Sequence, residues 1–194
     1  ARPDGPARPD DYPVHCARAW RNPPLTFTGN PVFFFGGTFD PPHAGHKAIV
    51  IRLLKEHAGA RVIVSPAPAA PLRTDDRLFS YRERFALLRA CFRQQLAEGK
   101  VILSRLEFSL PKPNFTFDTL AALVQVCGTK PVIVIGADQA AQIGKWHRAE
   151  ELMREYEFVV FAREGTTTAF DRRLRHHAIS DFDLPVSATV IRAS

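Results

Sequence analysis

The apolar run Val32-Phe33-Phe34-Phe35 stops abruptly at Gly36-Gly37, which fits a strand buried on both faces that feeds a tight turn. Beyond the turn the period changes. From residue 43 to about 57 the apolar positions Ala44, Ala48, Ile51 and Leu54 recur at helical spacing, and Arg61-Val62-Ile63-Val64 restores a strand. A first strand-helix-strand unit is therefore predicted. Residues 65–77, rich in Pro and Ala, read as a loop, and residues 80–96 as a helix with Phe85, Leu88 and Phe92 on one face. Val101-Ile102-Leu103 gives a third strand. Residues 111–114 break the chain, 116–126 read as helix, and 131–135 form a fourth buried strand ending in Gly136. A helix over about 148–154 and a strand over 158–161 complete the alternation.

Strands alternating with helices at these lengths imply an α/β, Rossmann-like parallel sheet with helices on both faces, and such sheets bind ligands beyond the carboxyl ends of their strands. The chemistry is expected in the loops there. A chain of 194 residues with 45% hydrophobic content can bury one core, so a single domain is expected over residues 32–194. Residues 1–31 hold seven of the 16 prolines and follow neither period, which makes them an irregular N-terminal arm.

The net charge of +6 and pI near 9.6 allow nucleic acid, an anionic membrane or phosphorylated small molecules as partners. No Lys/Arg-rich run and no basic stretch interleaved with aromatics follows the first strand, so no nucleic-acid partner is expected and a phosphate-rich small molecule fits better. Cys16, Cys91 and Cys127 are far apart, odd in number and without metal-ligand spacing, which argues for a reduced, cytoplasmic protein without a zinc site. No stretch approaches the roughly 20 apolar residues that span a bilayer, and the N-terminus lacks the apolar core of a signal peptide. No membrane partner is expected. A homo-oligomer is compatible with the sequence but not read from it.

The most informative stretch is Gly36-Gly37-Thr38-Phe39-Asp40-Pro41-Pro42-His43-Ala44-Gly45-His46. Its glycines let backbone N–H groups approach an anion, and the helix opening around His43 aims its positive end at the same place. His43 and His46, three apart, lie on one face of the first turn, where each imidazole beside a polyphosphate can donate a charged hydrogen bond. Neither GxGxxG nor GxxxxGK[ST] is present. Near the C-terminus, Ser187 and Thr189 at a helix start, with Arg192 one turn on, make a second anion site. Gly136-Ala137-Asp138 ends a strand, where an acidic side chain can take ribose hydroxyls or simply cap a helix. Phe115-Thr116 starts a helical apolar run, and Trp146 is either a packing residue or a stacking platform.

The stretch of residues 36–46 resembles the HxGH signature of the nucleotidyltransferase superfamily, and its GGTFDPPHAGH form is similar to bacterial-type nicotinate mononucleotide adenylyltransferases. The resemblance extends over most of residues 32–194. Ser187-Ala188-Thr189-Val190-Ile191-Arg192 resembles the second signature, ISSTxIR, with Val186 for its Ile and Ala188 for its second Ser. Phe115-Thr116-Phe117-Asp118-Thr119-Leu120 resembles SYTxDTL, whose backbone meets the nicotinate ring and carboxylate; Gly136-Ala137-Asp138 resembles GxD; Trp146 matches the tryptophan that stacks on the pyridine ring. Arg73 stands where the family carries the lysine of PHK that reaches the mononucleotide phosphate, and Arg163 is a second candidate for that phosphate. The family also continues with a further helix beyond the position of Ser194.

The resemblance implies adenylyl transfer from ATP to nicotinate mononucleotide, giving nicotinate adenine dinucleotide and pyrophosphate in NAD biosynthesis. His43, His46 and Arg192 would be the catalytic residues; Gly36, Gly37, Thr38, Phe39, Gly136, Asp138, Ser187 and Thr189 would bind ATP; Arg73, Phe115, Thr116, Trp146 and Arg163 would bind the mononucleotide. Mg2+ is expected on the ATP phosphates, held mainly by substrate and water, with no protein ligand assigned. Three other readings stay open: an adenylyltransferase for nicotinamide mononucleotide or another phosphate acceptor such as phosphopantetheine, a catalytically silent nucleotide-binding paralogue, and a nucleic-acid-binding module.

Overall fold

The computed structural model describes residues 30–68, 78–161, 171, 173–174 and 176–179. Along the chain run β1 (Val32–Gly37), α1 (Ala44–Glu56), β2 (Arg61–Pro66), α2 (Tyr81–Cys91), α3 (Arg93–Ala97), β3 (Val101–Leu103), α4 (Thr116–Cys127), β4 (Val132–Gly136), α5 (Ala137–Ala140), α6 (Ala149–Glu155), β5 (Phe158–Phe161) and β6 (His176–Ile179). The six strands form one parallel sheet in the order β3-β2-β1-β4-β5-β6. This is the doubly wound, Rossmann-like architecture expected of the alternating pattern.

Successive side chains of β1 point to opposite faces, and each face has its own core. Phe33 and Phe35 pack with Val50 and Leu53 of α1 and with Phe85 and Leu88 of α2. Phe34 pairs instead with Leu120 and Leu123 of α4 and Leu152 and Met153 of α6. The helices therefore change face between the two halves of the chain, and the change falls where β1 lies beside β4, through Phe33↔Val132 and Phe34↔Ile133. Crossover helices run antiparallel to their strands. The first turns of α1, α2 and α4 consequently lie at the edge of the sheet where the strands end.

Three elements differ from the sequence pattern. The helix expected over 80–96 is divided at Phe92, whose backbone leaves the helix at φ −106° and ψ 20° while its ring is wholly buried in the core under α1 and α2. Strand β2 runs on to Pro66, because Ser65 and Pro66 still pair with Gly36 and Gly37. Strand β6 was hidden by composition: it pairs with β5 at the end of the sheet and needs no continuous apolar run. Of the expected arm, only Asn30 and Pro31 are described, and the Pro31 carbonyl already accepts the Arg61 N–H at 3.1 Å. Among the described residues, Cys91 and Cys127 are free thiols, and no helix is long and apolar enough to cross a membrane.

Candidate active site

Gly36 and Gly37 close β1, and at Gly36 it is space that favours glycine, whereas a Cβ at Gly37 would meet only ordinary contact. A Cβ on Gly36 would stand 2.9 Å from the Phe34 ring, and one on Gly37 3.5 Å from the Phe39 ring. Phe39 follows at φ 49°, a left-handed conformation that bulky residues rarely adopt. Its buried ring makes edge contacts with Phe35 at 5.3 Å and His46 at 4.8 Å between centroids. His43 is the N-cap of α1 at φ −141° and ψ 175°, and the first helical bond runs from the Lys47 N–H to the His43 carbonyl at 3.2 Å.

The two imidazoles stack with centroids 3.7 Å apart and planes 30° apart. The His43 N–H donates to His46 Nδ1 at 3.2 Å, so the neutral His46 ring carries its proton on Nε2. Burial, helped by the charge His43 can carry, pushes the His46 pKa down to about 3. Desolvation beside Phe35 and Phe39 keeps it neutral before any anion arrives, and it offers an uncharged Nε2–H.

Two residues that sequence reasoning passed over hold this loop. Asp40 is 2% exposed, and its carboxylate accepts the N–H groups of Leu78 at 3.1 Å and Phe79 at 3.0 Å. Arg84 in α2 is wholly buried; its guanidinium donates to the carbonyls of Thr38, Ala67 (3.1 Å from both Nη1 and Nη2) and Phe79 (3.3 Å). Its spacing of four from the core residue Leu88 was the available signal.

At the end of β4, a Cβ on Gly136 would lie 2.5 Å from Asp138 Oδ1, so glycine is what lets the Asp138 carboxylate fold back over the strand end. The Gly136 N–H donates to Gln139 Oε1 at 3.1 Å. Because β4 neighbours β1, this exposed carboxylate belongs to the same edge of the sheet as Gly36, Gly37 and Thr38.

A third group surrounds the start of α4. Phe115 occupies the N-cap position without a side-chain cap, so the first-turn N–H groups of α4 are not covered by a capping side chain, and Thr116 is the first helical residue, as expected. The Phe115 ring stacks on His147 at 4.2 Å. Trp146, next along, is half-buried against the core under α4 and α6. Arg148, at φ 55°, lays its guanidinium 3.7 Å over the Phe117 ring and grips Glu151 at 2.7 and 2.5 Å, which ties the Trp146 turn to α4. Below them, buried Glu107 accepts a hydrogen bond from Ser65 Oγ at 3.3 Å, and Asn114 Nδ2 donates to the Glu107 carbonyl at 2.9 Å. Burial raises the Glu107 pKa to about 7 against the opposing hydrogen bonds of Ser65 and Thr119.

Arg73, Arg163, Ser187, Thr189 and Arg192 lie outside the described residues. Among the described residues, no three His, Cys, Asp or Glu side chains converge where they could hold a metal ion.

The cytidylyltransferase-like family profile matches residues 34–194. The chain is 32% identical over 162 residues to the probable nicotinate-nucleotide adenylyltransferase of Aliarcobacter butzleri, covering 83% of this chain and 85% of that one. It is 34% identical over 158 residues to the protein of the same name from Exiguobacterium sibiricum, covering 81% and 82%. Its fold is similar to that of Plasmodium falciparum nicotinic acid mononucleotide adenylyltransferase complexed with NaAD, with a TM-score of 0.68, 16% identity, and coverage of 84% of this chain and 83% of that one.

Proposed function

Because the chain belongs to the cytidylyltransferase-like family, we propose that it transfers the adenylyl group of ATP to the phosphate of nicotinate mononucleotide, forming nicotinate adenine dinucleotide and pyrophosphate. The observation that carries the reading is the stacked His43–His46 pair at the opening of α1, directly beyond the end of β1 and beside β4. The relatives' names supply the substrate.

The mononucleotide phosphate oxygen attacks the α-phosphorus of ATP in line, and pyrophosphate leaves on the opposite side. The attacking oxygen is already anionic, so catalysis needs positioning and stabilisation of phosphoryl charge rather than a general base. In this reading His46 donates its Nε2–H and His43 its ring N–H to phosphate oxygens. Gly36, Gly37, Thr38 and Phe39 bring main chain to the phosphates, and Asp138 takes the ribose hydroxyls. Ser187, Thr189 and Arg192 supply the second phosphate site. The pyridine ring lies against Trp146, its carboxylate meets the uncapped first turn of α4 at Phe115 and Thr116, and Arg73 or Arg163 takes the mononucleotide phosphate. ATP enters as its Mg2+ complex, the ion carried on the phosphates. The catalytic domain occupies residues 32–194, and the reaction belongs to cytoplasmic NAD biosynthesis.

Pyrophosphate release from MgATP, with nicotinate and nicotinamide mononucleotide offered separately, tests the assignment. Release with the acid and little with the amide is expected. Release only with the amide overturns the substrate, and no release with either, despite ATP binding, overturns the activity. His46→Ala should cost at least about a hundredfold in kcat, the scale of one preorganised donor; a loss of tenfold or less removes its phosphate role.

A further inference from the structure

Phe39 keeps a strained left-handed backbone at the position where the loop after β1 turns toward α1. Packing of its ring accounts for the side chain, and something must also hold the peptide. Arg84 does this from beneath. The guanidinium donates to the Thr38 carbonyl, and the carbonyl and N–H of one trans peptide point in opposite directions. With the Thr38 oxygen drawn toward the buried arginine, the Phe39 N–H of the same peptide faces the other way, away from Arg84.

The anchor is itself fixed on several sides. Arg84 also holds the Ala67 carbonyl beyond β2 and the Phe79 carbonyl before α2, and its Cζ lies 5.5 Å from the centre of the Tyr81 ring. The Ala67 N–H in turn donates to the Gly37 carbonyl at 2.8 Å. Phe79 is gripped from both directions, its N–H by Asp40 and its carbonyl by Arg84. A planar fork spreads five donors over three nitrogens and so reaches three carbonyls in two loops at once, whereas a lysine carries its three donors on a single nitrogen.

We propose that Arg84 is a positioning residue for adenylyl transfer: it orients the Thr38–Phe39 peptide so that the Phe39 N–H donates to the phosphates of bound ATP. The inference rests on ATP being the nucleotide of this site, and it is independent of which mononucleotide accepts the adenylyl group.

Two measurements test it. In the unmodified chain, the Phe39 amide resonance should shift on addition of the Mg2+ complex of α,β-methylene ATP; an unmoved resonance at saturation overturns the proposal. In Arg84→Lys, kcat/KM for MgATP should fall about tenfold or more while KM for the mononucleotide stays within about twofold, the loss expected when one charged hydrogen bond to the transferring phosphates is misplaced. Equal losses toward both substrates, or none in a folded variant, reduce Arg84 to a structural residue and overturn the proposal. If the lysine variant does not fold, the amide shift alone decides. A Phe39 shift in a chain that adenylylates no pyridine mononucleotide leaves the Arg84 inference standing and removes only the acceptor.

Discussion

Glu107 places a carboxyl where its charge is poorly solvated, with Ser65 and Thr119 as hydrogen-bond partners and a pKa near 7. The folded chain therefore binds this proton more tightly than the unfolded chain, whose carboxyl titrates near 4.5. The contribution to stability is complete below that value and is lost as the pH rises through 7. Melting temperature should decline between pH 5 and 8, and Glu107→Gln should flatten that decline by about 3 °C or more; parallel profiles for the two proteins would refute the assignment. His43 and His46 were legible in the sequence because their chemistry is written within eleven residues. Glu107, Asp40 and Arg84 were not, since each is defined by partners that are distant in the chain: Glu107 reaches back 42 residues to Ser65, and Arg84 46 residues to Thr38. Local pattern carries no record of such pairings.

Among elements, the short turn from β4 into α5 depends on one missing side chain. Gly136→Ala introduces a Cβ only 2.5 Å from Asp138 Oδ1, so the carboxylate must swing away while the buried strand behind it is untouched. KM for ATP should rise about tenfold, the worth of one hydrogen bond to a charged group, with the urea midpoint nearly unchanged; an unaltered KM would separate Asp138 from the nucleotide. Strands β1, β2, β4 and β5 announced themselves as apolar runs because both faces are covered. Strand β6, with His176 and His177 in a four-residue element, has no such run, and the break at Phe92 comes from burial of its ring, not from any Gly or Pro.

At the scale of the whole molecule, the sheet is a partition one residue thick between two cores. Phe33→Ala empties a site on the side of α1 and α2, and Leu123→Ala one on the side of α4 and α6. Losses of roughly 3–5 and 2–5 kcal/mol are expected for the two, each within one cooperative urea transition, because both cores are built on the same strands. Two resolved transitions in either variant would show that the halves fold separately. The placement of β1 has a further effect while the chain is being made. One edge of this strand finds β2 within about thirty residues, but the other waits for β4, since Phe33 pairs with Val132, 99 residues later. At synthesis rates of about 5–20 residues per second, that open edge, carrying three consecutive phenylalanines, stays unpaired for roughly 5–20 s. The central strand is thus an aggregation hazard in the newborn chain, and the window closes only when the second half of the sheet arrives.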